Sequence, residues 1–515
     1  MVIAMPGTIT RITGIRETIC APKSHNRHDC YGSTAENAGW SRSRPFRGEF
    51  VMSKFASALL LSSVSLATAA AAQDARTVTE PVIPQLCSVV SAKLTSVADG
   101  PYRSLAAADE AKLDTDRIQS AIDACPKGRA VALRTSGKAD AFVSGPLTLR
   151  AGVTLLVEKG ATLFGSLDFT HYALKPGSCG FVTQPLSKGC KPLITIDHAA
   201  GAAIMGEGVI DGRGGVTIPG QTVSAWDLAA GGKGGSILPR LVIANHADDF
   251  TLYRITLKNS PNFHVVYSGG DGFTVWGVKV ETPQRLPHET RPLAHNTDGI
   301  DPGNGAKNIT ITQSYIRTGD DNIAIKGDGG GLTNMTVSHN HFYYGHGMSI
   351  GSGTQGGVSH VLVTDLTLDG TDNGLRIKSA GNRGGLVHDI TYQDVCIRNA
   401  PHPIQLTGSY GSDGASKGDL PPVYKDITLK NVAISGGGEF MFSGYDESHR
   451  AEASFDGVFT TDTAKYTYKF AHADVSYGKG GSNLTLPVGT DATVKGAPSN
   501  GTPTNCAGRF VPWPE

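Results

Sequence analysis

An all-β solenoid, a parallel β-helix wound from one chain, is the fold class this sequence predicts; two sets of repeats and a glycine-rich composition predict it. The first set is five segments in one register: Thr297-Asp298-Gly299-Ile300-Asp301, Asp320-Asp321-Asn322-Ile323-Ala324-Ile325-Lys326, Gly345-His346-Gly347-Met348-Ser349-Ile350-Gly351, Asp372-Asn373-Gly374-Leu375-Arg376-Ile377-Lys378 and Pro401-His402-Pro403-Ile404-Gln405-Leu406-Thr407. Their aliphatic residues Ile300, Ile323, Met348, Leu375 and Ile404 recur at gaps of 23, 25, 27 and 29 residues, the period of one supersecondary unit repeated along a solenoid. The second set is a tetrapeptide, seen as Asp249-Phe250-Thr251-Leu252, Gly272-Phe273-Thr274-Val275, Asn308-Ile309-Thr310-Ile311, Asn334-Met335-Thr336-Val337, Asp389-Ile390-Thr391-Tyr392 and Asp426-Ile427-Thr428-Leu429. His360-Val361-Leu362-Val363 keeps its apolar alternation without the threonine. Each coil therefore carries at least two strands. Glycine, at 65 of 515 residues, suits a chain made of turns and short strands.

Residues 1–51 are basic, polar and without periodicity, and translation is expected to start at Met52. From there Met52-Ser53-Lys54, the apolar run Phe55 to Leu66 and Ala70-Ala71-Ala72 read as a secretory signal over 52–72, leaving a mature chain from about Gln73. The apolar run is shorter than a bilayer requires. Ile118, Ala121, Ile122 and Cys125 form a helical stripe behind an N-cap at Thr115-Asp116, a short helix suited to closing the open end of a solenoid. Strands follow at Leu147-Thr148-Leu149, Val153 to Val157 and Thr162-Leu163-Phe164. Ala229-Ala230-Gly231-Gly232-Lys233-Gly234-Gly235 is too rich in glycine for a strand and reads as a loop at the groove rim. No shift of composition interrupts the remainder, so 80–515 reads as one β-helix domain. Six cysteines remain after signal cleavage, an even number that favours disulfides in an exported chain. Cys179 with Cys190 closes a short loop, and Cys87 with Cys125 and Cys396 with Cys506 are the favoured pairings for the others.

Formal charge balances at 46 basic against 46 acidic residues, which gives no argument for nucleic acid or an anionic membrane. The local pattern is more telling. Because side chains alternate along a strand, Leu375 and Ile377 point into the solenoid while Arg376 and Lys378 point out. Asp298, Asp321 and His346 each stand two residues before the aliphatic position. Strict alternation would bury them, but the Gly or Asn after each suggests a bend, and unpaired buried charge is costly. Carboxylates, a histidine and two cations thus converge on one groove. Glycosidic hydrolysis needs a protonated acid at the leaving oxygen and a carboxylate serving the attacking water or attacking itself. Crowded like charges raise at least one of the three aspartate pKa values, and Arg376 with Lys378 suits an anionic sugar. Each string alone is commonly a turn or a solvated face; their common register argues otherwise. Asn373 and His402 share the file and are read as ladder residues.

At this point the chain resembles the polygalacturonases of glycoside hydrolase family 28. The strings that carry the resemblance are Asn296-Thr297-Asp298-Gly299-Ile300-Asp301, Gly319-Asp320-Asp321-Asn322-Ile323-Ala324-Ile325-Lys326, Gly345 to Ser352 and Arg376-Ile377-Lys378-Ser379. The resemblance implies a right-handed parallel β-helix, no metal or other cofactor, and cleavage of α-1,4-galacturonosyl bonds with inversion. It implies Asp320 as general acid, Asp298 and Asp321 as bases on water, and His346 as support for the acid. It further implies Arg376 and Lys378 as ligands of the galacturonate carboxylate, with Tyr410 and Asn296 lining the groove. Endo action is expected, with exo release of mono- or digalacturonate as the alternative. Gly353 departs from relatives that carry Glu there, and loops at 211–240 and 281–295 could close one groove end. A pectate lyase would share the fold but need calcium, and a non-catalytic polysaccharide-binding β-helix would not need Asp320. The expected partner is pectin or polygalacturonate, with no nucleic acid, no membrane after signal cleavage, a secreted location and a monomeric state.

Overall fold

The computed structural model describes residues 73–514 except 101, 182–188, 232–235, 283–293, 412–416, 488 and 490. The upstream extension and the signal peptide lie outside the described residues, as do parts of both loops expected at the groove end.

Parallel strands stack in register from Leu86 to Lys495, the right-handed parallel β-helix expected. Seven strands of one wall carry the site. They are β1 (Val242–Asn245), β2 (Val265–Ser268), β3 (Ile300–Gly303), β4 (Ile323–Ile325), β5 (Met348–Ile350), β6 (Asn373–Lys378) and β7 (His402–Thr407). They pair in that order. The aliphatic register holds throughout, since Ile300 faces Ile323, Ile323 faces Met348, Met348 faces Leu375 and Leu375 faces Ile404. These side chains are buried in the solenoid interior, where each removes apolar surface from water by stacking on its own kind in the next coil.

The tetrapeptide repeat pairs in the same way, Phe250 on Phe273, Phe273 on Ile309 and onward to Ile390 on Ile427. Its first position is a corner with left-handed backbone, at φ 54° in Asp249, 56° in Asn308, 60° in Asn334 and 51° in Asp426. Gly, Asn and Asp tolerate that conformation best, which is why this repeat is legible. A second left-handed corner runs through Arg254, Gln313, His339, Asp365, Asp394 and Asn431. Beyond it a further strand segment follows, separate at Thr256–Lys258, Lys279–Glu281 and Tyr315–Arg317 and continuous with the strand before it in Leu332–Tyr343, Val358–Asp369, Leu386–Arg398 and Val423–Ser435. The chemically mixed second corner gave no repeat string, so sequence reading had found only two strands per coil.

Helix α1 (Thr115–Ala124) buries Ile118 and Ile122. Its N-cap is Asp114 rather than Thr115-Asp116, and no side chain caps it. Asp114 instead accepts from the amide of Val143, and Thr115 from that of Gly145. Ala229 to Gly231 end a short helix, α2 (Ala225–Gly231), which corrects the expected loop at those residues. The three disulfides are Cys87–Cys125, Cys179–Cys190 and Cys396–Cys506, as expected.

Candidate active site

The bend that turns the acid file outward is built before each strand. Asn322, fully buried, donates to the Ile316 carbonyl at 3.0 Å and accepts from the Gly347 amide at 2.9 Å. Gly347 adopts φ 77°, and a Cβ there would collide with the Asn373 carbonyl. With the backbone so turned, the side chain of Asp321 meets residues that project outward from β5 and β6.

Asp321 is closed in by cations. Its Oδ1 accepts from Ser349 Oγ at 2.8 Å and from Arg376 Nη2, and its Oδ2 from Lys378 Nζ at 2.8 Å. Burial acts to raise its pKa, but Lys378, Arg376 and Lys326 outweigh it and hold the carboxyl below the ordinary range. Arg376 also donates through Nε to Ser349 Oγ at 3.0 Å. Arg376 and Lys378, expected as an open receptor for a substrate carboxylate, are therefore buried and already engaged with Asp321.

Asp320 is different. Its side chain retains 16% exposure, against 1% for Asp321, 4% for Asp298 and 2% for Asp301. Its Oδ1 lies 3.0 Å from His346 Nδ1 and its Oδ2 accepts the Asn296 amide at 3.1 Å. Burial opposes ionisation, yet the His346 hydrogen bond and charge, the Asn296 amide and Lys378 depress its pKa. His346 lies between two carboxylates, with Nε2 3.4 Å from Asp372. Burial acts to lower its pKa, but hydrogen bonds to Asp320 and Asp372 prevail and push it up to about 9. Asn296 contributes its backbone N–H, in a left-handed conformation of φ 55° that asparagine accommodates.

Asp298 and Asp301 share Lys326, at 3.3 and 3.4 Å. Burial first, then the neighbouring Asp301 charge, raises Asp298 well above its ordinary value; burial raises Asp301 to about 6. Asp298 Oδ1 is buried without a hydrogen-bond partner among the described residues. Below it, His264 is fully buried and held neutral, lowered to about 4 chiefly by burial, with Nδ1 3.1 Å from the Asp298 carbonyl. Crowding and burial thus raise Asp298, while Asp320 and Asp321 stay ionised. Tyr410 stands beside the cluster, its ring 5.1 Å from Lys378 Nζ.

Among the described residues, Asp320, Asp321 and His346 also bring potential metal ligands together, with atoms within 4.8 Å of one another. Arg376, Lys378 and Ser349 occupy Asp321, and His346 is pushed towards imidazolium. The donor set is that of an ion-pair network rather than of a cation cage. Sequence reading missed Asp301, Lys326, Ser349, Asp372 and His264. The first three carried a signal. Asp301 and Ser349 stand one residue after the aliphatic position, as Arg376 does, and Lys326 stands three after, as Lys378 does. At Gly353 the Asp328 carboxylate fills the space a side chain would need. Asn373 does pair with His402 in the ladder.

Comparison with known proteins agrees with this geometry. The profile of Glycosyl hydrolases family 28 matches residues 135–473. A polygalacturonase of Ralstonia nicotianae is 36% identical over 520 residues, covering 90% of this chain and 97% of that protein. An endo-polygalacturonase of Pectobacterium carotovorum is 39% identical over 427 residues, covering 82% and 98%. The solved polygalacturonase of Erwinia carotovora superposes with a TM-score of 0.68 at 39% identity, over 78% of this chain and 99% of that one. With these matches spanning the walls and the acid cluster alike, the chain belongs to Glycosyl hydrolases family 28 and is a glycoside hydrolase.

Proposed function

We propose that the protein is a polygalacturonase that hydrolyses α-1,4-galacturonosyl bonds inside polygalacturonate with inversion. The observation that carries this is the asymmetry among Asp298, Asp301, Asp320 and Asp321: Asp320 reaches the groove and contacts His346, while the other three are buried beside fixed cations. Asp320 serves as general acid because it alone among these carboxylates can approach a leaving oxygen, and geometry ranks before pKa for such a role. Asp298 and Asp321 serve the attacking water, with the unpartnered Oδ1 of Asp298 as one contact.

The cluster titrates as a unit. In the free site burial and the Asp301 charge favour the protonated form of Asp298, the carboxylates of Asp320 and Asp372 favour the charged form of His346, and His346 and Lys378 favour the ionised form of Asp320. A galacturonate carboxylate beside Arg376 and Lys378 adds negative charge and offsets the cations that keep Asp320 ionised. The proton then moves towards Asp320, leaving Asp298 able to accept one from water. Substrate binding thereby arms the acid. Three disulfides support secretion, and among the described residues no helix is long and apolar enough to cross a membrane. The 39% identity with an endo-acting relative supports internal cleavage.

The test is digestion of polygalacturonate in the presence of a chelator, following viscosity, reducing ends and the anomeric form of new ends by NMR. A rapid viscosity fall, saturated oligomers and the β-anomer are expected, all lost in Asp320→Asn. Monomer or dimer alone would establish exo action. An unsaturated, calcium-dependent product would replace hydrolysis with elimination. Binding without cleavage would make the protein a polysaccharide-binding β-helix.

A further inference from the structure

Two coils before the acid cluster stands a cation that the mechanism above does not use. Arg240 leads into β1, which pairs with β2, which pairs with the Asp298-bearing turn and β3. Its guanidinium lies over the ring of Phe263, with Cζ 4.8 Å from the centroid. Its one side-chain hydrogen bond to a described residue is from Nε to Asn262 Oδ1 at 3.3 Å. Among the described residues, neither Nη group is paired with a carboxylate. The nearby acids, Asp298 and Asp301, are engaged by Lys326, whose Nζ lies 5.6 Å from the same Phe263 ring. The charges of Asp301 and Asp298 reach Arg240 only at longer range, and a half-buried guanidinium with no anion hydrogen-bonded to its Nη groups is costly to maintain. Its flat fork suits one ligand class above others, a carboxylate accepted through two parallel N–H bonds. Phe263, half-exposed beneath it, offers an apolar face on which a sugar ring can rest.

We propose that Arg240 and Phe263 form a second sugar subsite, which takes the carboxylate of a uronate unit on the side of the scissile bond away from Arg376 and Lys378. It rests on the reading of the chain as a galacturonan hydrolase. Coils rise by about 4.8 Å, so the Arg240 coil lies about 10 Å along the axis from that of Asp298. A pyranose unit advances a polysaccharide by a length comparable to one coil. The subsite therefore meets a unit remote from the bond that breaks, and its binding energy acts on length preference and on where the chain is cut.

The experiment compares the unaltered protein with Arg240→Ala and Phe263→Ala on defined oligogalacturonates from trimer to hexamer and on polygalacturonate. Arg240→Ala is expected to lower kcat/KM on polygalacturonate by about tenfold, the cost of one charge-assisted hydrogen bond, and Phe263→Ala to lower it through loss of the stacking face. The loss is expected to grow with oligomer length, and the principal cut in the hexamer to move. The ratio of long to short substrate within one preparation does not depend on how much of a variant has folded. A loss of the same size at every length, or none with an unshifted cut, would overturn the subsite while leaving the hydrolase intact. Failure of the unaltered protein to cleave polygalacturonate would remove the parent reading, and the subsite with it.

Discussion

His346 shows how one residue ties stability to the chemistry of the groove. Its pKa is raised to about 9 by Asp320 and Asp372, so the folded state holds that proton more tightly than the unfolded chain. The resulting stability is fully present below about pH 6.5 and is lost as pH rises through about 9. The unfolding temperature of the native protein is expected to fall across that window, by an amount reflecting up to about 3 kcal/mol, and that of His346→Gln to remain flatter. Asp301 acts in the same sense in a more acid window. Its raised pKa of about 6 means that stability falls as pH rises from the ordinary carboxylate range towards 6, and Asp301→Asn is expected to abolish that slope. Lys326 is the shared counterion of two buried aspartates. Replacing it with Met leaves them uncompensated, for an expected loss of about 3–5 kcal/mol in denaturant titration. Retained stability would mean that both acids are neutral in the native protein.

At the level of the coil, the left-handed corner dictates sequence more strictly than the strands it joins. Asn334 has φ 60° and donates its side-chain amide to Asn308 one coil away at 3.3 Å. Asn334→Val is expected to cost about 1–3 kcal/mol, because a β-branched residue is poorly accommodated there. Asn334→Gly is expected to cost less, since glycine loses only the ladder contact. Thermal melts of the two variants provide the check; equal losses would assign the cost to the hydrogen bond instead of the backbone. The contrast also explains what could be read. Asp249, Asn308 and Asp426 advertise the first corner, whereas Arg254, Gln313 and His339 occupy the second without a compositional signature. The strand segment beyond it therefore went unseen.

Across the molecule, terminal segments lie along the solenoid as straps. Near the start, Asp74 binds the repeat threonines, accepting from Thr310 Oγ1 at 2.7 Å and donating its amide to Thr336 Oγ1 at 3.0 Å. Near the end, Arg509 pairs with Asp365 at 2.5 Å, Phe510 receives Arg398 at 4.3 Å and Trp513 receives Arg317 at 4.2 Å. Trp513 thus packs on the walls. Cys396–Cys506 secures this strap across a separation of 110 residues. Cys506→Ser is expected to lower stability by about 2–5 kcal/mol and to expose the tail to limited proteolysis while polygalacturonate cleavage persists. A tail that stays protected would show that the aromatic contacts suffice to hold it.

The sequence by itself determined the solenoid, its register and the file that carries Asp298, Asp321 and His346. Those features repeat, and a repeat makes neighbours of residues far apart in the chain by arithmetic alone. Tertiary structure decided how charge is apportioned within the site. Asp298 is raised by its depth, Asp320 is depressed by a histidine one coil away, and Arg376 with Lys378 neutralises Asp321 before any substrate arrives. Depth, distance and competing partners set an ionisation equilibrium, and none of them is a property of a residue's place in a motif.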